Sequence, residues 1–152
     1  MADIFSIVGS ALAAQNARMG VIASNLANVD SVAAPGTAAY RAHQVVFQAA
    51  PVIDGEAADA AFTTGDGADS GAPAGLGVRV VGTVLSNAPP VKNYDPSNPY
   101  ADASGYVTGS NVSQVGQMVD LVNSSNSYAA SIAVLQQSSR VDQQMLSSFQ
   151  VS

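Results

Sequence analysis

Ile4–Val29 reads IFSIVGSALAAQNARMGVIASNLANV, and the spacing within it decides the fold. Met1, Phe5, Val8, Leu12, Gln15, Met19, Ile22, Leu26 and Val29 recur at intervals of four and three, apolar everywhere but Gln15. That is the pattern of a helix carrying a coiled-coil seam. Arg18 is the only charge in the stretch, and the other faces hold Ala, Ser, Asn and Gln, where a solvated helix normally carries charged residues. A helix of this kind expects protein on more than one side.

The other end of the chain repeats the design. Met118, Leu121, Tyr128, Ile132, Leu135, Leu146 and Phe149 keep the same spacing, interrupted by Ser125, Ser139 and Asp142, while Val119, Val122, Val134, Val141 and Met145 widen the apolar stripe. At roughly 1.5 Å per residue the two segments extend about 39 and 58 Å, which makes them rods. Their intrinsic propensity is poor. Gly9, Gly20 and Gly116 lie inside them, each costing about 1 kcal/mol relative to Ala, and Asn123 to Ser127 is a run of weak helix formers. Packing must supply the stability. An antiparallel two-helix stalk within one monomer satisfies the periodicity, whereas the small, uncharged outer surface favours neighbouring copies of the chain as the source.

Between the rods the period changes. Leu76 to Leu85 is β-branched and is closed by Pro89-Pro90, and Tyr40 to Gln48 is a second strand candidate, so a hairpin or short sheet is expected. Asp54 to Gly75 lacks any period and reads as an exposed mobile loop. Asn93 to Tyr100 reads as turn throughout, and Asn111, with Gln114 three residues on, reads as the N-cap of the second long helix. The expected class is α+β: an N-terminal helix over 1–30, a β-rich middle over 31–110 with the loop at 54–75, and a C-terminal helix over 111–152.

Composition narrows the function. A formal charge of −6 with five scattered basic residues offers no footprint for nucleic acid or an anionic membrane. No apolar run approaches the roughly 18 residues of a membrane span, and no secretory signal pattern is expected at the start. Cysteine is absent, which excludes disulfides and thiol chemistry. Asn111-Val112-Ser113 and Asn123-Ser124-Ser125 match the glycosylation pattern by chance frequency and read as helix residues.

No motif points to catalysis. Gly75-Leu-Gly77-Val-Arg-Val-Val-Gly82 has its third glycine misplaced for a dinucleotide turn and reads as strand. Asp66, Asp69, Asp95 and Asp102 lack the spacing and terminal Glu of a calcium loop. His43 is the sole histidine, and with no second histidine and no thiol it reads as a surface or hydrogen-bonded structural residue.

Ser10-Ala-Leu-Ala-Ala-Gln15 followed by Val21-Ile-Ala-Ser-Asn-Leu-Ala-Asn-Val-Asp-Ser31 resembles the N-terminal signature of bacterial flagellar axial proteins, the rod and hook family. Tyr40-Arg41-Ala42, Val45 to Gln48, Tyr94-Asp95-Pro96 with Pro99, and Ala103 to Val107 are similar to the branch of that family that builds the proximal rod. Met118 to Val122 and Ser127 to Leu135 match its C-terminal helix. The resemblance is collinear and spans nearly everything outside Asp54 to Gly75. Ser31 stands where most members have Thr, Val32 to Ala39 is inserted before Tyr40, as in the proximal-rod branch, and Ser131 stands where Asn is usual.

The resemblance implies a structural subunit, exported by the flagellar type III apparatus without a cleaved signal, that polymerises through its terminal helices into the periplasmic rod. Other rod subunits, further copies of itself and the export apparatus would be its partners. Nucleic acid and direct membrane insertion would have no part in it. No catalytic, cofactor or metal residues are expected. The assembly interface would comprise Phe5, Val8, Leu12, Met19, Ile22, Asn25, Leu26 and Asn28 of the first helix and Met118, Leu121, Tyr128, Ile132, Leu135, Leu146 and Phe149 of the second. Another axial subunit, or a type III-exported coiled-coil protein, is the alternative.

Overall fold

The structure, a computed structural model, describes residues 2–51 and 76–150, with side chains over 4–50 and 77–148. The loop expected at 54–75 lies outside the described residues, as do Met1 and the side chain of Phe149. Helix α1 spans Ala2–Ala27, strands β1 His43–Pro51 and β2 Leu76–Leu85, strands β3 Lys92–Tyr94 and β4 Tyr106–Thr108, and helix α2 Gln114–Gln150. The class is α+β, as expected.

α1 and α2 lie against each other within the one chain. Gln15 meets Ser124, Arg18 meets Asp120 and Asn25 meets Gln117. Rising numbers on one helix meet falling numbers on the other, so the pair is antiparallel. α2 has 37 residues against 26 in α1, and the eleven-residue excess carries Leu146, which is 66% exposed.

The seam that α2 turns toward α1 is not the one its apolar residues predict. Gln117, Leu121, Ser124, Tyr128, Ser131, Leu135, Ser138 and Asp142 are buried or half-buried at intervals of four and three. Leu121, Tyr128 and Leu135 belong to the expected seam. In the first half of α2 the alternate layer has moved by one residue, from Met118 and Ser125 to Gln117 and Ser124, while further on Ser131 with Ile132 and Ser138 with Ser139 are half-buried side by side. The physical reason is hydrogen bonding at close range. Ser124 Oγ donates to Gln15 Oε1 at 2.9 Å, and one layer earlier Gln117 Oε1 accepts from Asn25 Nδ2 at 2.9 Å, so the two amide and hydroxyl contacts fix which residues face α1. Met118 therefore faces outward, 46% exposed.

α1 closes in a series of tight turns. The Asn28, Val29 and Ser31 amides donate to the Asn25, Leu26 and Asn28 carbonyls, and Asn28 Nδ2 donates to the Ser24 carbonyl. α2 begins later than expected. Ser113 is its cap, accepting from the Gly116 amide at 3.3 Å. Asn111 does other work: Oδ1 accepts from the Ala42 amide at 2.6 Å and Nδ2 donates to the Ala88 carbonyl at 2.7 Å, so it ties the start of β1 to the chain leaving β2 at the ribbon's His43↔Leu85 end.

That ribbon is an antiparallel hairpin running from His43↔Leu85 to Pro51↔Leu76, with a slip between Val46↔Gly82 and Phe47↔Val80 that leaves Val81 as an extra residue. A bulge of this form bends and twists the strand. The ribbon packs on α1, and the Val78 amide donates to Ser10 Oγ. β3 and β4 form a second small antiparallel pair, where turn alone was expected for Asn93 and Tyr94. The turn begins at Asp95, whose amide donates to the Gly105 carbonyl.

Candidate functional site

The described core is small: Val8, Ala14, Ile22, Ala42, Val107 and Val112, with Asn25, Ser110 and Ser124 buried among them. The two largest fully buried side chains are Asn25 and Ser124, both polar. A buried polar group is tolerated only when its bonds are made, and here they are. Asn25 Nδ2 donates to the His43 carbonyl at 2.8 Å and to Gln117 Oε1 at 2.9 Å. Its Oδ1 accepts from the His43 amide at 2.9 Å and the Tyr40 hydroxyl at 3.1 Å. His43 is a hydrogen-bonded structural residue, its Nδ1 lying 3.1 Å from the Tyr40 hydroxyl.

The base of the molecule is fixed by the strands' flanking residues. Ser110 Oγ donates to the Val29 carbonyl at 2.7 Å, and the Ser110 amide to the Ser31 carbonyl. The Ala33 amide donates to the Thr108 carbonyl, and Arg41 donates to the Ser86 carbonyl and to Asn87 Oδ1. In the Asp95 to Tyr106 turn, the Ser97 hydroxyl holds the Asp95 carboxyl below the usual carboxylate range. The Tyr106 and Ser104 amides do the same for Asp102. Among the described residues no group of three or more His, Cys, Asp or Glu is placed to hold a metal ion, and no helix is long and apolar enough to cross a membrane.

The expected interface residues divide by position. Val8, Ile22 and Asn25 are buried inside the single chain. Leu12, Met19, Leu26, Asn28, Leu121, Tyr128, Ile132 and Leu135 are half-buried. Phe5, Met118 and Leu146 are exposed at 39%, 46% and 66%. Alongside Met118 stand Val115, Val119 and Val122, each more than half exposed. At spacings of four and three they form one stripe on α2, facing away from α1. The stripe contains no charged residue.

Residues 6–33 match the family model for flagella basal body rod proteins, and residues 103–148 the model for the C-terminal part of flagellar basal body rod FlgEFG proteins. Over 133 residues the chain is 47% identical to the flagellar basal-body rod protein FlgC of Salmonella typhimurium, covering 88% of this chain and 86% of that one. This chain belongs to the FlgC family of flagellar basal-body rod proteins. FlgC of Escherichia coli O157:H7 is 47% identical over 135 residues and that of Yersinia enterocolitica 44% over 133, with the same coverage of both chains. As a FlgC-family chain it is a structural subunit of the flagellar basal-body rod. The two matched segments contain α1 from residue 6 and α2 to residue 148, so the stretches on which the family is recognised are those that supply the helix pair and the α2 stripe.

The structural parts of Gln117, Ser124, Tyr40 and Ser110 were not legible in the sequence, and Asn111, expected as a helix cap, bonds Ala42 and Ala88 instead. One signal was available for the first two. Gln117, Ser124, Ser131 and Ser138 recur every seventh residue, a heptad of its own that a search for apolar residues passes over.

Proposed function

We propose that this FlgC-family chain serves in the proximal rod, that it polymerises with further copies and other rod subunits through its terminal helices, and that the resulting shaft transmits torque across the periplasm. Export through the flagellar type III apparatus belongs to the same reading. The role is mechanical, and no residue is assigned a catalytic step. One observation carries it: toward its partner within the chain helix α2 alternates Leu121, Tyr128 and Leu135 with Gln117, Ser124, Ser131 and Ser138, and it leaves Val115, Met118, Val119 and Val122 uncovered. A protein working alone would bury the valines and expose the serines. The arrangement suits a subunit whose apolar helix faces are completed by neighbours, and Phe5 and Leu146, exposed where α2 outruns α1, offer a separate apolar contact at the far end of the pair.

A charge placed on the stripe separates assembly from folding. Val119→Asp and Val122→Asp change exposed positions, so the isolated protein is expected to melt like the parent, whereas in a packed rod each carboxylate is buried unpaired at a cost of several kcal/mol. Expression and export are expected to persist while rods and swimming are lost. The control is Ile22→Asp, which is expected to destabilise the isolated chain itself because Ile22 is 4% exposed. Motile cells carrying Val119→Asp and Val122→Asp together would overturn the assignment of this face.

A further inference from the structure

Three elements meet at Asn25, and they meet in the dry. The carboxamide of this α1 residue bonds both backbone polar groups of His43, at the first position of β1, and the side chain of Gln117 in the first turn of α2. Its two amide hydrogens and both lone-pair directions of its oxygen are occupied, the last by Tyr40, and the residue is 1% exposed. Ser124 to Gln15 is a buried bond too, but it joins the two helices only, and two other bonds between these elements are of a different quality. Val78 to Ser10 is exposed, and Arg18 to Asp120 is 3.4 Å long between side chains that are 37% and 46% exposed, a class of pair that contributes little.

We propose that the Asn25 carboxamide is the joint that holds the β1–β2 ribbon in one position relative to the helix pair, so that α1, α2 and the ribbon move as one body. Only a carboxamide at this depth meets the chemistry. Two acceptors, the His43 carbonyl and Gln117 Oε1, require two N–H donors, and two donors, the His43 amide and the Tyr40 hydroxyl, require one oxygen. Aspartate has no donor at neutral pH and leucine has neither group. Because the bonds on β1 are to its backbone, the imidazole of His43 is dispensable to the joint. Tyr40 contributes one bond of the four. Loss of the carboxamide leaves the covalent connections and the Ser110 and Asn111 bonds at the base, so the elements persist but the ribbon's angle is released.

The absence of cysteine allows two to be introduced for spin labels, and distance distributions read position separately from stability. Labels at Val81 on the ribbon and Val122 on α2, both more than half exposed, report the ribbon against the pair. Labels at the exposed Ala13 and Val134 report the pair alone. All are read on the full-length isolated protein well below its melting temperature. The parent is expected to give one narrow peak for each. Asn25→Leu and Asn25→Asp are expected to lose the narrow ribbon peak while keeping the helix-pair peak, and His43→Ala is expected to keep both. Gln117→Ala, which spares the ribbon's own bonds to α1, serves if the Asn25 variants do not fold. It is expected to broaden Val81–Val122 and leave a Val81–Ala13 pair narrow. A narrow Val81–Val122 peak in Asn25→Leu, or in Gln117→Ala where that variant stands in, would overturn the proposal. Broadening by His43→Ala equal to that of Asn25→Leu would overturn it too, since that would make the effect one of general loosening.

Discussion

At Gly105 a single hydrogen atom matters. The residue closes the β3–β4 turn at φ 78°, and a Cβ built there would lie 2.9 Å from Cε2 of Tyr94, whose ring in turn meets Tyr106 edge-on with centroids 5.3 Å apart. Left-handed backbone alone costs an L-residue roughly 1–2 kcal/mol, so Gly105→Ala is expected to destabilise the protein by at least about that much, read as a lower melting temperature of the isolated chain. The carboxylates of the same turn predict a pH response. Asp95 and Asp102 both have folded values below their unfolded ones, so their contribution is present at neutral pH and is lost as the pH falls below about 4 and through the folded values. Amide exchange at Ser104 and Tyr106 is expected to accelerate, relative to the intrinsic rate, between pH 6 and pH 3. Asp102→Asn is expected to flatten that change. None of this is visible from residue types alone, because Asn93 and Tyr94 carry turn-like neighbours and only the pairing with Tyr106 and Val107 makes them strand.

Helices and strands were unequally legible. The apolar period located both long helices, and β2 coincides with the β-branched run from Leu76 to Leu85, because those patterns are local. The start of α2 was misplaced because Asn111 is as good a cap as Ser113 by residue type, and only its bonds to Ala42 and Ala88 reveal that it is engaged elsewhere. The rotation of the α2 seam was hidden for a related reason: periodicity tells that a face exists, but the choice between Ser124 and Ser125 depends on what stands opposite, here Gln15. That choice is testable. Ser124 is fully buried, so Ser124→Leu overfills the seam and is expected to cost on the order of 1–3 kcal/mol, lowering the helical melting transition. Ser125→Leu, at an exposed position, is expected to leave it nearly unchanged. The opposite ranking would restore the seam that the apolar residues suggest.

Taken whole, the molecule sets Gln117, Ser124, Ser131 and Ser138 among the inward positions of α2 while Val115, Val119, Val122 and Val134 stay outside, a choice a self-sufficient protein would not make. The sequence disclosed the exposed faces through their lack of charge, and the resemblance disclosed the family. What it did not disclose was that α1 finds its partner within the same chain, since pairing within a chain and between chains imposes the same period on each helix. The ribbon raises a separate consideration, one of containment. Two strands with open edges are a template on which further strands grow, and proteins that avoid fibres interrupt such edges. The extra Val81 on β2 does this by twisting the strand out of the straight alignment that a third strand would need, and α1 occupies the ribbon's one sheltered face. A subunit proposed to lengthen a filament through its helices must be sterile through its strands, and a single inserted valine supplies the barrier to that wrong kind of polymer.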